Sequence, residues 1–136
     1  MADKVVLFNT GVVTWQKKMM PAIRVNKDAI HKWVLERGPG GATNLFEGLE
    51  RGFGFAGRGS FDKHYKSAVD TIFLLSDGSP TAGRVRATGA ILREIGAIND
   101  LRRIAVHTVG LGRQLNVAFL RRLARENAGD FVHVTR

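Results

Sequence analysis

From Lys4 the chain reads KVVLFN, a β-branched and aromatic run; Thr10 and Gly11 follow as a two-residue turn, and Val12 to Trp15 resume the pattern. Two such runs around a short turn predict a β-hairpin. After Pro21 the period changes: Ile30, Trp33 and Val34 recur at helical spacing, with Asn26 placed as an N-cap and Gly38 beyond the last turn, which predicts a helix between them. The stretch GPGGATNLFEGLERGF supplies a glycine-rich loop and then a second helix, with Asn44 and Glu47 spaced as a capping box. Gly54 to Lys66 carries Gly54, Gly57 and Gly59 among basic residues without a helical period, the pattern of a mobile surface segment.

The second half is more regular. Thr71 to Ser76 is continuously apolar rather than alternating, as expected of a strand in a parallel sheet covered on both faces. Ile91, Leu92, Ile95 and Ile98 mark the buried stripe of a helix, interrupted by Gly89 and Gly96, which lower its propensity while permitting close packing. RIAVHTVGLG, from Arg103, predicts another buried strand. Phe119, Leu120, Leu123 and Ala124 mark a last helix, with Gly129 where helices commonly stop, and Phe131 to Val134 close as a short strand. Strand, helix, strand, helix, strand in this order predicts an α/β fold: three layers, a mostly parallel sheet with helices on both faces.

Composition narrows the class. At 136 residues, 44% hydrophobic and 24% charged, the chain is expected to form a single domain over residues 1–136 with one core. No run approaches the roughly 20 apolar residues of a membrane span, and no signal-peptide pattern opens the chain, so a soluble domain is expected and its compartment stays open. The chain has no cysteine, which removes disulfides, thiolate metal sites and cysteine nucleophiles. Lys and Arg number 21 against 12 Asp and Glu, a net charge of +9, and such a surface attracts polyanions. The arginines at 84, 86, 93, 102, 103, 121, 122 and 125 lie mainly on or beside two predicted helices, where a solvated outer face also accounts for them.

In open α/β sheets ligands sit beyond the carboxyl ends of the strands. Asp77 occupies such an end, and the glycine-rich loop carrying Thr43 can reach the same rim. A carboxylate with a hydroxyl is a hard-oxygen pair suited to Mg²⁺ and unsuited to zinc or copper. Asp77 before Gly78 is equally ordinary turn chemistry, Thr43 can simply start its helix, and Ser76, Ser79 and Thr81 serve as turn hydroxyls or as groups around Asp77.

The segments GGATNLFEGLERGF and DTIFLLSDGSPTAG resemble the threonine and aspartate segments of the von Willebrand factor type A domain family. The hairpin VVLFNTGVVTW, the strand IAVHTVGLG and the closing FLRRLARENAGDFVHV fall in that family's order too. The resemblance implies a Rossmann-like domain used as a protein-binding module, built around a metal-ion-dependent adhesion site for Mg²⁺ or Mn²⁺. It implies Thr43 and Asp77 as metal ligands, with Ser76, Gly78, Ser79 and Asn44 as surrounding loop candidates.

The family's first metal segment, D-x-S-x-S, occurs nowhere in this chain, and the match begins at the family's second strand. Relative to the family's strand order 3-2-1-4-5-6, the chain therefore reads as N-terminally truncated, lacking an interior strand and the helix after it. Two outcomes are expected: either Val5 to Phe8 pairs directly with Thr71 to Ser76, or the open edges recruit a partner protein or a second copy by strand exchange or edge association. With two protein ligands, Mg²⁺ or Mn²⁺ is expected to bind weakly.

Other chemistries find little support. His31, His64, His107 and His133 lack metal-ligand spacing, and His107 falls inside a predicted buried strand. Gly38, Gly40 and Gly41 lack the Lys-Ser/Thr ending of a phosphate loop. No G-x-S-x-G elbow or paired carboxylates are present. The sequence thus predicts a non-enzymatic protein-binding module with an incomplete metal site; the alternative is a basic, metal-independent module that binds nucleic acid or another polyanion. No membrane partner is expected.

Overall fold

A computed structural model describes residues 2–37, 41–55, 69–77 and 79–135. In chain order the elements are β1 (Ala2–Asp3), β2 (Val6–Phe8), β3 (Val12–Thr14), β4 (Met20–Pro21), α1 (Arg24–Arg37), α2 (Leu45–Gly54), β5 (Thr71–Ser76), α3 (Thr88–Arg102), β6 (Ala105–Leu111), α4 (Val117–Glu126) and β7 (Phe131–Val134). Gly38, Gly40, Gly78, His64 and the predicted mobile segment beyond Phe55, as far as Lys66, lie outside the described residues.

The strands form three sheets among the described residues: β1 with β4, β2 with β3, and β5-β6-β7. The third is parallel throughout, with Thr71 opposite Ala105 and Thr108 opposite Phe131. The fold is the expected mixed α/β, Rossmann-like class. Its core lies between this sheet and three helices. Leu45, Phe46, Leu49 and Phe53 from α2, Ile91, Leu92 and Ile95 from α3, and Phe119, Leu120 and Leu123 from α4 close over Leu74 and Val106. Each such side chain, taken fully out of water, contributes about 1.5–3 kcal/mol.

Strand alternation assigns the other face. Along β6 every second residue, Val106, Thr108 and Gly110, is buried, and the register places Leu74 and Ser76 on that same inner face. Phe73 and Leu75 point away and are 67% and 54% exposed; Val132 and Val134 of β7, across β6 on the same face, are 53% and 41% exposed. The apolar run of β5 that predicted two covered faces therefore has helical cover, among the described residues, on one face only.

Three local expectations change. Val6–Phe8 pairs with Val12–Thr14 and not with β5; the two strands sit on a common helix instead. A β-carbon on Gly48 of α2 would lie 2.8 Å from the Phe8 ring, and one on Gly52 would lie 3.4 Å from Ile72. The hairpin loop is Asn9, Thr10 and Gly11, because Phe8 pairs with Val12 and the Asn9 side chain accepts from Gly11 N–H at 3.0 Å. The first helix starts at Arg24, so Asn26 is no cap: its side-chain amide donates to the Pro21 carbonyl at 2.8 Å. Helix α1 buries no residue.

Buried polar groups fasten the far end of the core. The Asn99 side chain donates to the Ile104 carbonyl at 2.7 Å and to Asn127 Oδ1 at 2.9 Å, and accepts from Ile104 N–H at 2.7 Å. Asn127 Nδ2 in turn donates to the Leu123 carbonyl. One polar cluster thus joins the ends of α3 and α4 to the start of β6. It is fully satisfied, the condition under which buried amides stabilise a core.

Candidate functional site

Residues at the carboxyl ends of β2 and β5 converge on the start of α2. Asn44, 2% exposed, caps that helix by accepting from Glu47 N–H. The reciprocal half of a capping box is altered here, because Asn44 N–H is taken by the Asn9 carbonyl at 2.7 Å and Glu47 Oε2 accepts from Asn44 Nδ2 at 2.7 Å instead. Asn44 Nδ2 also reaches the Thr10 carbonyl, while Thr10 Oγ1 accepts from Ala42 N–H at 3.1 Å. The hairpin loop is thereby stitched to the threonine loop. Asn44 works as the knot of this arrangement, with its polar atoms turned into the protein.

The aspartate loop is stitched to the same point. Thr43 N–H donates to Thr81 Oγ1 at 2.8 Å, and the Thr43 carbonyl accepts from Thr81 N–H and Ala82 N–H at 2.9 and 3.1 Å. Gly83, at φ +100°, lies so close to Asn44 that a β-carbon there would meet Oδ1 at 2.0 Å. Thr81 is the residue that brings the two loops together, a role that spacing alone does not announce. Thr43 is half-buried, Asp77 and Ser79 are exposed, and Ser76 is buried. The Thr43 hydroxyl and the Asp77 carboxylate make no side-chain hydrogen bond or ion pair among the described residues. Gly78 lies outside them.

This donor set limits what a cation would find. Among the described residues no group of three or more His, Asp or Glu side chains could hold a metal ion. One carboxylate and one hydroxyl fall short of the six oxygens Mg²⁺ prefers, so Thr43 and Asp77 do not by themselves fit a tightly held ion. His107 and His133 are engaged elsewhere. His107 Nδ1 accepts from Asp130 N–H at 3.0 Å while its ring stacks on Phe73 at 5.0 Å, and His133 Nε2 lies 2.6 Å from the Gly112 carbonyl.

Arg84 pairs with Glu50 and Arg122 with Glu126, at 2.8 and 2.7 Å, and Arg121 lies over the Phe131 ring.

The family model described as von Willebrand factor type A domain matches residues 4–132. The chain belongs to the von Willebrand factor type A domain family. Domains of this family are typically protein-interaction modules. Among curated relatives, inter-alpha-trypsin inhibitor heavy chain H1 of Mesocricetus auratus is 31% identical over 126 residues, and heavy chain H1 of Sus scrofa 32% over 127; each match covers 91% of this chain and 14% of the relative. Heavy chain H2 of Mus musculus is 29% identical over 126 residues, 92% of this chain and 13% of the relative. The chain thus spans about one seventh of the length of these relatives. The crystal structure of the ArnB paralog VWA2 from Sulfolobus acidocaldarius superposes with a TM-score of 0.59 at 22% identity, over 98% of this chain and 31% of that one, a likeness of fold. No helix among the described residues is long and apolar enough to cross a membrane.

Proposed function

We propose that this von Willebrand factor type A domain is a non-enzymatic module that binds a protein partner along the open edge of β5. The observation that carries the reading is that β5, six residues long with Ile72, Phe73, Leu74 and Leu75 at its centre, is an edge strand of its sheet among the described residues. Ala105 N–H donates to the Asp70 carbonyl. In a parallel ladder this directs Ile72 and Leu74 toward β6, and the backbone groups of Thr71, Phe73 and Leu75 toward the open side. An apolar edge of this kind is a template for an added strand from a partner or a second copy. The rim beside it is organised by Thr43, Thr81 and Asn44, and Mg²⁺ or Mn²⁺ binds there weakly through Thr43 and Asp77, with water completing its shell.

The test uses a synthetic peptide of residues 103–111, the sequence that already pairs with the other side of β5. Added to the isotopically labelled chain, it is expected to slow amide exchange at Thr71, Phe73 and Leu75. Phe73→Pro, which removes an edge N–H while leaving the β6 ladder intact, is expected to abolish the effect. Protection unaltered in Phe73→Pro, or no protection at any peptide concentration, would refute edge binding. A chelator should leave the peptide effect unchanged.

A further inference from the structure

The ring of His107, the third residue of β6, touches both flanking strands. On one side it stacks on Phe73 of β5, with 5.0 Å between ring centroids and 20° between ring planes. On the other, Nδ1 accepts from Asp130 N–H at 3.0 Å, just where the chain enters β7. A ring nitrogen that accepts from an N–H carries no proton of its own, so the neutral imidazole holds its proton on Nε2. The Asp130 carboxylate, 91% exposed, stands 3.9 Å from the same Nδ1. Among the described residues no other charged side chain stands beside the ring on this face: the neighbouring positions are Thr71, Phe73 and Leu75 of β5, Ala105 and Val109 of β6, and Val132 of β7.

The turn that offers the Asp130 N–H has little freedom to move. Val106 N–H donates to the Asn127 carbonyl and Thr108 N–H to the Asp130 carbonyl, both at 3.0 Å, so the turn is held on either side of His107. Between those bonds Gly129 packs so closely on β6 that a β-carbon there would fall 1.8 Å from the Val106 carbonyl oxygen. The amide therefore keeps pointing at Nδ1 when the ring changes its charge. Imidazolium is a donor at both nitrogens. With a second proton, taken from solvent onto Nδ1, two N–H groups face each other with no acceptor between them, and the acceptor within reach is the Asp130 carboxylate. We propose that His107 is a proton-operated latch on β7: the neutral ring holds the Asp130 N–H, and the imidazolium releases it, turning Nδ1–H to the Asp130 carboxylate and shifting on Phe73. One side chain thereby links the protonation state to all three strands of the sheet. The latch is independent of strand addition at β5, which uses backbone groups of the free edge.

Nuclear magnetic resonance of the isotopically labelled chain tests this between about pH 8 and about pH 5, the interval in which imidazole side chains take up a proton. At the upper end the ring nitrogens of His107 should show the Nε2–H tautomer. On acidification Nδ1 gains a proton, and the Asp130 amide should lose roughly fivefold to tenfold of its protection against exchange, taken relative to an unfolded peptide at each pH. The Phe73 ring resonances should move in step. His107→Asn, whose side-chain oxygen stands near the place of Nδ1 and does not titrate, should keep the Asp130 amide protected throughout, and His107→Phe should leave it unprotected throughout. An Nδ1–H tautomer at the upper end, or equal protection of Asp130 at both ends in the unaltered chain, would overturn the proposal. Acid release of the amide in His107→Asn, which would assign the change to another group, or full protection in His107→Phe would do so likewise.

Discussion

Replacing Gly129 with Ala tests the packing at the end of α4. The helix closes in a Schellman motif: Ala128 takes the left-handed conformation at φ +55°, and Gly129 N–H donates to the Ala124 carbonyl at 2.9 Å. Gly129 carries no positive φ; what it needs is space. A β-carbon there would sit 1.8 Å from the Val106 carbonyl oxygen, 2.4 Å from its carbon and 2.9 Å from His107 N. All three are backbone atoms of β6 and cannot swing aside. Reaching an ordinary carbon–oxygen separation of about 3.3 Å requires a shift of about 1.5 Å. That shift would break the bonds Val106 N–H and Thr108 N–H donate to the Asn127 and Asp130 carbonyls, both 3.0 Å, and disturb the Asn99–Asn127 cluster. Two or three bonds at about 1 kcal/mol each, with packing losses, put the cost at about 3–5 kcal/mol, or roughly 10–17 °C in thermal midpoint for a domain of this size. Urea unfolding followed by circular dichroism measures it. A change under about 1 kcal/mol with an unaltered denaturant slope would refute the argument. Ala128→Gly, one residue earlier, should have the opposite sign and stabilise by up to about 1 kcal/mol, since it relieves a left-handed alanine.

Three further outcomes follow. Asn99→Leu leaves the Ile104 N–H and carbonyl and Asn127 Oδ1 without their partner, and should cost about 2–4 kcal/mol in the same unfolding assay. Thr81→Val removes the acceptor for Thr43 N–H; the Thr43 amide should then exchange faster while global stability falls by only about 1 kcal/mol. Asp77→Ala should shift stability by less than about 0.5 kcal/mol, as its exposed carboxylate lacks a partner among the described residues, and, under the proposed weak site, calorimetry with Mn²⁺ should give heat for the unaltered chain and none for the variant.

The elements with strong periodicity were legible in the chain itself. Thr71–Ser76 and Phe131–Val134 fall where their apolar runs place them, and the stripes around Ile91 and Phe119 identify α3 and α4. The Asn44 cap was legible because an Asn before an apolar helix satisfies a free N–H wherever that helix packs. Asn26 misled because the same side chain can bond backward, and here it closes the turn at Pro21. The apolar residues of β5 say that its outward side chains avoid water; they do not say what covers them. Gly129 was legible as a helix stop, but its reason, the approach of β6, is a contact across the fold that no local pattern encodes. Thr81 reads as a turn hydroxyl or a group around Asp77, and its bond to Thr43 escaped for the same reason: that hydroxyl matters only because folding brings Thr43 to it.

Amide exchange along β5 in the dilute, free chain tests the open edge most directly. Ile72 and Leu74, turned toward β6, should be protected, while Thr71, Phe73 and Leu75 exchange at rates near those of exposed amides. Equal protection of all five at high dilution would mean that the edge is already closed, and would contradict partner binding through β5.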